Sequence, residues 1–262
     1  MISSTQWRGW GEDVALAVTE CAALGDAEEL VRSVIEESAA ACDLRRGDAE
    51  IHAVNLAQGT PVRVSPRLAA LLRSALWAAR MTDGAVDPVA GDDATLDGRS
   101  VPPIHPIPRY LDVQLDDDTV LAPWGASLDI TATAHADVTD RAATLVATVL
   151  ECGVLVQMGD TIATAGHCPA GGWQVSLPDH GIVELPAGAA MSSRTSTGDE
   201  QRWGTITVIA ADAVWADSAA TTALHRGIGA LSWLEQYELA GRLIDSRGRI
   251  HTTSTWSDPR AA

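Results

Sequence analysis

Residues 128–143 read Leu128-Asp129-Ile130-Thr131-Ala132-Thr133-Ala134-His135-Ala136-Asp137-Val138-Thr139-Asp140-Arg141-Ala142-Ala143. A short strand over 127–130 enters this stretch, and a helix over about 137–152 leaves it, stopped by Gly153. Val154-Leu155-Val156-Gln157-Met158 follows at once as a buried strand. Strand, helix and strand in close succession place a crossover helix in the middle of the chain.

Upstream, Val14, Leu16 and Val18 alternate with smaller or polar neighbours, the period of a half-buried strand. Asp26 as N-cap, with Glu29 three residues on, predicts a helix whose inner face is Leu30, Val31, Val34 and Ile35. Ser65 caps a second helix with Pro66 in its first turn. Leu68, Leu71, Leu72 and Leu76 form the buried stripe there, and Gly84 follows the end. Residues 84–108 are rich in Gly, Asp and Pro without periodicity and read as a loop, and a short strand follows over 111–115. Downstream, strands are expected at 173–177, 182–185 and 205–210, helices at 212–225 and 230–239, and a terminal hairpin turning at Ser246-Arg247-Gly248. Isolated strands mixed with crossover helices point to an α+β fold of mixed, largely antiparallel sheets with packed helices. No repeat or linker divides the chain, so residues 1–262 are expected to form a single domain.

The charge balance narrows the partners. Eighteen Arg face 35 Asp and Glu, for a net charge of −17, and there is no Lys. Such a surface repels phosphate backbones and anionic lipid, so nucleic acid and membranes are not expected partners. No apolar run approaches a membrane span and the first residues lack a signal-peptide pattern, which suggests a cytoplasmic protein. Cys21, Cys42, Cys152 and Cys168 form no C-x-x-C pair and read as reduced thiols.

The 128–143 stretch resembles, without a gap, a segment that proteins of the FAD:protein FMN transferase (ApbE) family write L-D-L-G-G/A-I/T-A-K-G/A-x-x-x-D-R-A-A. Four further blocks fall in family order. Thr82-Asp83-Gly84-Ala85-Val86-Asp87-Pro88 resembles T-x-G-A-F/V-D-P, and residues 155–166 resemble the strand carrying a G-G-D turn. Asp217-Ser218-Ala219-Ala220-Thr221 resembles D-A-x-A/S-T, and Trp10-Gly11-Glu12-Asp13-Val14 the entry strand. Asn55 stands where the family has an Asn after its first helix.

The resemblance implies two interleaved subdomains and a Mg²⁺-dependent reaction. FAD is bound, its pyrophosphate is split, and FMN is joined to a threonine hydroxyl of an acceptor flavoprotein while AMP leaves. It places the metal on Asp217, Thr221 and the backbone carbonyl of Ala134, and the flavin nucleotide on Asn55, Asp87, His135, Gly159, Asp160 and Ser192. The residue types agree with this, since Asp217 and Thr221 lie one helical turn apart, and carboxylate, hydroxyl and carbonyl oxygens suit a hard cation.

The chain departs from the family in one large block. Ala190-Met191-Ser192-Ser193-Arg194 matches the family's T-S-G turn, yet only residues 195–202 separate it from the next strand. A segment of the form H-x-x-D-P-x-T-G belongs there, and the chain has no such motif and no His between Ser192 and His225. No residue is therefore assigned as the catalytic acid or base. The family Lys is His135, a family Gly is Thr131, and the G-G-D turn becomes Gly159-Asp160-Thr161, with the carboxylate one position early. On a strand, a shift of one residue turns a side chain to the opposite face. Two alternatives to transfer follow: a non-catalytic flavin-binding protein on the same scaffold, or a pyrophosphatase that releases FMN and AMP to water. The other histidines, His52, His105, His167, His180, His225 and His251, lack metal-ligand spacing. Trp77 and Trp233 sit at helical core positions, and Trp173 and Trp203 open strands.

Overall fold

The computed structural model describes residues 2–90, 95–96, 99–100, 108–196 and 202–256. His105 lies outside them. The chain divides into two compact units, one of Met1–Ile35 with His135–Ala262 and one of Glu36–Ala134.

The chain opens with β1 (Ser3–Gly9) and β2 (Glu12–Val18), paired so that Gly9 faces Glu12. Trp10 and Gly11 between them both have positive φ, the conformation of a tight two-residue hairpin. Val14, Leu16 and Val18 are buried as expected. Helix α1 (Leu24–Cys42) starts earlier than its sequence signal, because a 3₁₀ turn at Cys21–Ala23 runs straight into it. Asp26 therefore lies in the first turn, beside the helix dipole, rather than at the cap.

In the second unit come α2 (Ile51–Leu56), β3 (Val62–Arg63) and α3 (Pro66–Met81). Ser65 caps α3 by accepting from the Leu68 N–H at 3.2 Å, and Glu50 in turn binds the Ser65 N–H and hydroxyl at 2.6 Å each. Leu68, Leu71, Leu72 and Leu76 are buried as predicted, whereas Trp77 is 37% exposed because it lies off that stripe. The 84–108 stretch is not wholly irregular: β4 (Val89–Ala90), β5 (Thr95–Leu96) and β6 (Arg99–Ser100) form short ladders. The strand expected at 111–115 is displaced by a 3₁₀ turn at Tyr110–Asp112, after which β7 (Gln114–Asp116) and β8 (Thr119–Leu121) pair. β9 (Ser127–Leu128) completes the set.

Helix α4 (Thr131–Leu150) begins six residues before its predicted start. The cause is Asp129, whose carboxylate accepts the Thr131 N–H at 3.0 Å and satisfies the helix start ahead of the Ala/Thr run. The chain then runs through β10 (Val154–Met158), β11 (Thr161–Ala165), β12 (Trp173–Ser176), β13 (Ile182–Leu185), β14 (Ala190–Thr195) and β15 (Trp203–Ala210). Helices α5 (Ala213–Arg226) and α6 (Ala230–Gln236) and the hairpin of β16 (Ala240–Asp245) and β17 (Ile250–Thr252) end it.

The first unit is built on one eight-stranded sheet in the order β1-β2-β10-β11-β14-β15-β16-β17, antiparallel at every pairing. The fold is thus α+β, as the sequence suggests. Strand alternation splits β11 and β14 into two faces. Ile162 opposite Met191 joins Trp173, Val175, Leu177, Val183 and Leu185 of the β12–β13 hairpin in an apolar cluster. Thr161 opposite Ser192 points the other way, towards α5, which packs on β11, β14 and β15. One face of this sheet is oily, and the covered end of the other is polar.

Candidate active site

Helix α5 carries the late D-A-x-A/S-T block. Asp212 starts it by accepting the Trp215 N–H at 2.7 Å, and that phase turns Asp217 inward against the sheet. Asp217 is 4% exposed. Its Oδ1 accepts the Ser192 hydroxyl at 2.9 Å and the Thr161 hydroxyl at 3.4 Å, while those two hydroxyls lie 3.1 Å apart. The same oxygen accepts Nη2 of Arg194, two residues along β14 from Ser192 and therefore on the same strand face. Two hydroxyls and a guanidinium thus converge on one buried carboxylate. Thr221 lies one turn further along α5 and is half-buried.

Gly159 and Asp160 form the two-residue turn between β10 and β11, with Met158 opposite Thr161. Only Gly159 has positive φ, as the first position of a type II′ turn demands, and a Cβ there would come within 2.9 Å of the Glu12 carboxylate. Because Asp160 sits in this turn and outside the strand, its one-residue shift does not reverse a strand face. It is exposed, and its carbonyl accepts the Ser193 N–H at 3.1 Å. His135 stands edge-on to the Trp10 ring, with centroids 4.5 Å apart, and its Nδ1 is 3.9 Å from Glu12 Oε1. The β10–β11 turn therefore joins a His135–Trp10–Glu12 group to the Asp217 group.

The remaining predicted residues belong to the second unit. Asn55 grips the backbone of Leu128 from both sides, donating to its carbonyl at 3.1 Å and accepting its N–H at 2.7 Å. Asp87 accepts the N–H groups of Val89 and Tyr110 at 2.9 and 3.4 Å. Ala134 lies in the first turns of α4, its N–H bonded to the Ile130 carbonyl at 2.8 Å. Asn55→Leu is expected to lower unfolding stability by about 2 kcal/mol in a urea titration, since it orphans two backbone groups of fully buried Leu128. A loss below about 0.5 kcal/mol, ordinary for a surface change, would contradict that reading.

Sequence reasoning alone passes over Asp140, the Asp of the D-R-A-A block. Its carboxylate accepts the Ala213 N–H at 2.6 Å and so ties α4 to the start of α5. Burial pushes its pKa up to about 7, and the negative charges of Asp212 and Asp137 push the same way, against the backbone N–H groups of Ala213 and Val214. A carboxyl raised in the fold favours folding most below its unfolded pKa, and that contribution is lost as pH rises through about 7. The carboxylates held low, such as Asp179 by the Arg242 guanidinium and Asp245 by the Arg249 N–H, change only in more acid solution. Asp140→Asn keeps the acceptor without the charge. Relative to the parent, it is expected to gain on the order of 2–3 kcal/mol in unfolding free energy between pH 5 and pH 8. Parallel stability curves for parent and variant across that range would contradict the raised Asp140.

This geometry can be set beside known proteins. The model of the ApbE family matches residues 10–193, more than half of the chain. The chain belongs to the ApbE family. Among solved structures, the apo flavinyl transferase ApbE of Pseudomonas stutzeri superposes with a TM-score of 0.82 at 16% identity, covering 97% of this chain and 96% of that one. The ApbE protein of Thermotoga maritima gives 0.80 at 17%, covering 97% and 98%. The flavin transferase ApbE of Vibrio cholerae gives 0.77 at 14%, covering 98% of both chains. At such identities the likeness is one of fold. No curated protein sequence matches the chain significantly. The family match stops at Ser193, so Arg194, Asp217 and Thr221 lie beyond it.

The expected magnesium site does not fit these residues. Asp217 is the one formal negative charge of the proposed ligand set, and the Arg194 guanidinium already holds it. Two unit charges about 4 Å apart interact by about 4 kcal/mol at an effective dielectric of about 20, and a divalent ion on the same carboxylate would double that repulsion. Among the described residues no group of three His, Cys, Asp or Glu side chains could hold a metal elsewhere.

Proposed function

We propose that this ApbE protein binds FAD and transfers its FMN moiety to a threonine hydroxyl of an acceptor flavoprotein, slowly for want of the H-x-x-D-P-x-T-G segment. The observation that carries the reading is the convergence of Thr161, Ser192 and Arg194 on buried Asp217, beside the glycine turn at Gly159, in a chain of this family. In the reaction, a bond forms between the threonine oxygen and phosphorus, the anhydride P–O bond breaks, and the hydroxyl proton passes to the departing AMP. A guanidinium can meet the charge on the phosphoryl oxygens, and fixed hydroxyls can orient them. In the first unit, His135, Gly159, Asp160 and Ser192 are the residues proposed to face the nucleotide, whereas Asn55 and Asp87 hold backbone of the second unit. Residues 1–262 act as one functional domain, and a cytoplasmic location suits the reduced thiols.

Incubation with FAD and an acceptor flavoprotein, followed by in-gel flavin fluorescence, is expected to give a faint covalent band that grows with time. Absence of any band on every acceptor, with FAD still bound, would favour the second reading, a flavin-binding protein without transfer. That reading is supported by the occupied Asp217 and by the eight residues, 195–202, standing where the family has a longer segment. Free FMN formed without an acceptor would point instead to hydrolysis of the FAD pyrophosphate.

A further inference from the structure

Arg194 has no counterpart among the residues that the family resemblance assigns, yet it is the cation at the centre of the site. It follows Ser192 on the same face of β14, one of its terminal nitrogens is committed to Asp217, and about a third of the side chain reaches solvent. Its Nε is buried and, among the described residues, has no hydrogen-bond acceptor. A guanidinium presents five donors in a planar fork and stays charged at any working pH, so one clamped by a carboxylate retains donors for a second anion. The surroundings make such a cation necessary, because Glu12 and Asp160 place carboxylates at the neighbouring β10–β11 turn.

We propose that Arg194 stands in for the divalent ion: the guanidinium fixed on Asp217 contacts the pyrophosphate of the bound dinucleotide, so that binding needs no metal. The FAD part of this statement rests on the function proposed above, whereas the cation part concerns Asp217 alone. The donors on Asp217 gather on its Oδ1, and there the chain itself supplies the cation. Arg194 thereby acts as a binding residue and also keeps metal out.

The test has two arms. In the first, Mn²⁺ is titrated and followed by electron paramagnetic resonance, with no nucleotide present. The parent and Asp217→Asn are expected to take up Mn²⁺ identically. Arg194→Gln is expected to gain a site that disappears in the Arg194→Gln/Asp217→Asn double variant. Uptake by the parent that depends on Asp217 would overturn the inference, as would an Arg194→Gln protein that gains no site. In the second arm, FAD binding is read from tryptophan quenching in EDTA and in Mg²⁺. The parent is expected to bind equally in both. Arg194→Gln is expected to bind about ten- to a hundredfold more weakly in EDTA, the loss of one charge-assisted contact, and to recover in Mg²⁺. A parent that needs Mg²⁺ overturns the inference and leaves the FAD reading standing. A parent that never binds FAD defeats the FAD reading, while the Mn²⁺ arm still decides what Arg194 does. Arg194→Lys guards against misfolding of the Gln variant. It keeps the charge and is expected to gain no Mn²⁺ site, and a gain there would also overturn the inference.

Discussion

Asp217→Ala is expected to destabilise the protein by about 3 kcal/mol and to abolish FAD binding. Breaking a buried ion pair from one side usually costs about 3–5 kcal/mol, because the other charge is left uncompensated. The low end applies here, since a third of Arg194 is exposed and can relax towards water, while Asp217 itself is 6% exposed at its side chain. The Ser192 and Thr161 hydroxyls lose their acceptor as well, though they remain within reach of each other. Urea denaturation supplies the measurement, and the pair can be isolated by a double-mutant cycle with Arg194→Met. The Asp217→Ala/Arg194→Met protein is expected to be more stable than Asp217→Ala alone, because no orphaned guanidinium remains. If Asp217→Ala unfolds within about 0.5 kcal/mol of the parent, the cluster is a loose surface arrangement and the site assignment fails with it.

Such a result also separates two roles that the residue types alone leave entangled. A Mg²⁺ ligand and the anchor of a fixed arginine are both buried aspartates on an inward helix face. Only the anchor is costly to remove in the absence of metal. Stability of Asp217→Ala in EDTA therefore carries information that an activity assay does not.

Much of the fold was legible because local physics set it. The run 154–158 is a strand with the predicted bounds, since five apolar or half-apolar residues follow a glycine stop. The terminal hairpin turns where Ser246-Arg247-Gly248 says it should. The errors have local causes too: the side chain of Asp129 starts α4 ahead of its periodic pattern, and the 3₁₀ turn at Cys21–Ala23 moves the start of α1. The site was legible only in part. The resemblance pointed to Ser192 and Asp217, and strand alternation puts Arg194 on the Ser192 face. Nothing local says that this face meets α5, a contact across 23 residues of sequence. Asp140 escapes notice for the same reason, its partner lying 73 residues away. Long-range pairing is what a single sequence conceals best.

Inserting an H-x-x-D-P-x-T-G segment between Arg202 and Trp203, together with His135→Lys and Thr131→Gly, is expected to raise covalent flavin transfer by about 10²–10⁴-fold. That range is what a positioned acid or base typically contributes, and no His lies between Ser192 and His225 to supply it in the parent. The insertion point is favourable on structural grounds. Trp203 is anchored independently of what precedes it, buried with its indole N–H donating to the Gly227 carbonyl at 2.5 Å. The Ser196 N–H reaches the Gly204 carbonyl at 2.9 Å, so β14 and β15 stay paired on both sides of the graft. Among the described residues, the backbone bond at risk is the 3.3 Å contact from the Ser246 N–H to the Arg202 carbonyl, worth about 1 kcal/mol. The two substitutions answer separate losses. His135 is held edge-on to Trp10 beside Glu12, where a lysine has the length to reach past the carboxylate with a permanent charge. Thr131 opens α4 with a side chain where the family pattern has none. Initial rates on one acceptor, at saturating FAD, compare the parent, the graft alone and the combined variant. A combined variant that folds, binds FAD and transfers no faster than the parent would show that Arg194 on Asp217, rather than the missing segment, sets the rate. Adding Arg194→Gln with Mg²⁺ then becomes the decisive step, because it returns Asp217 to a cation that can be exchanged.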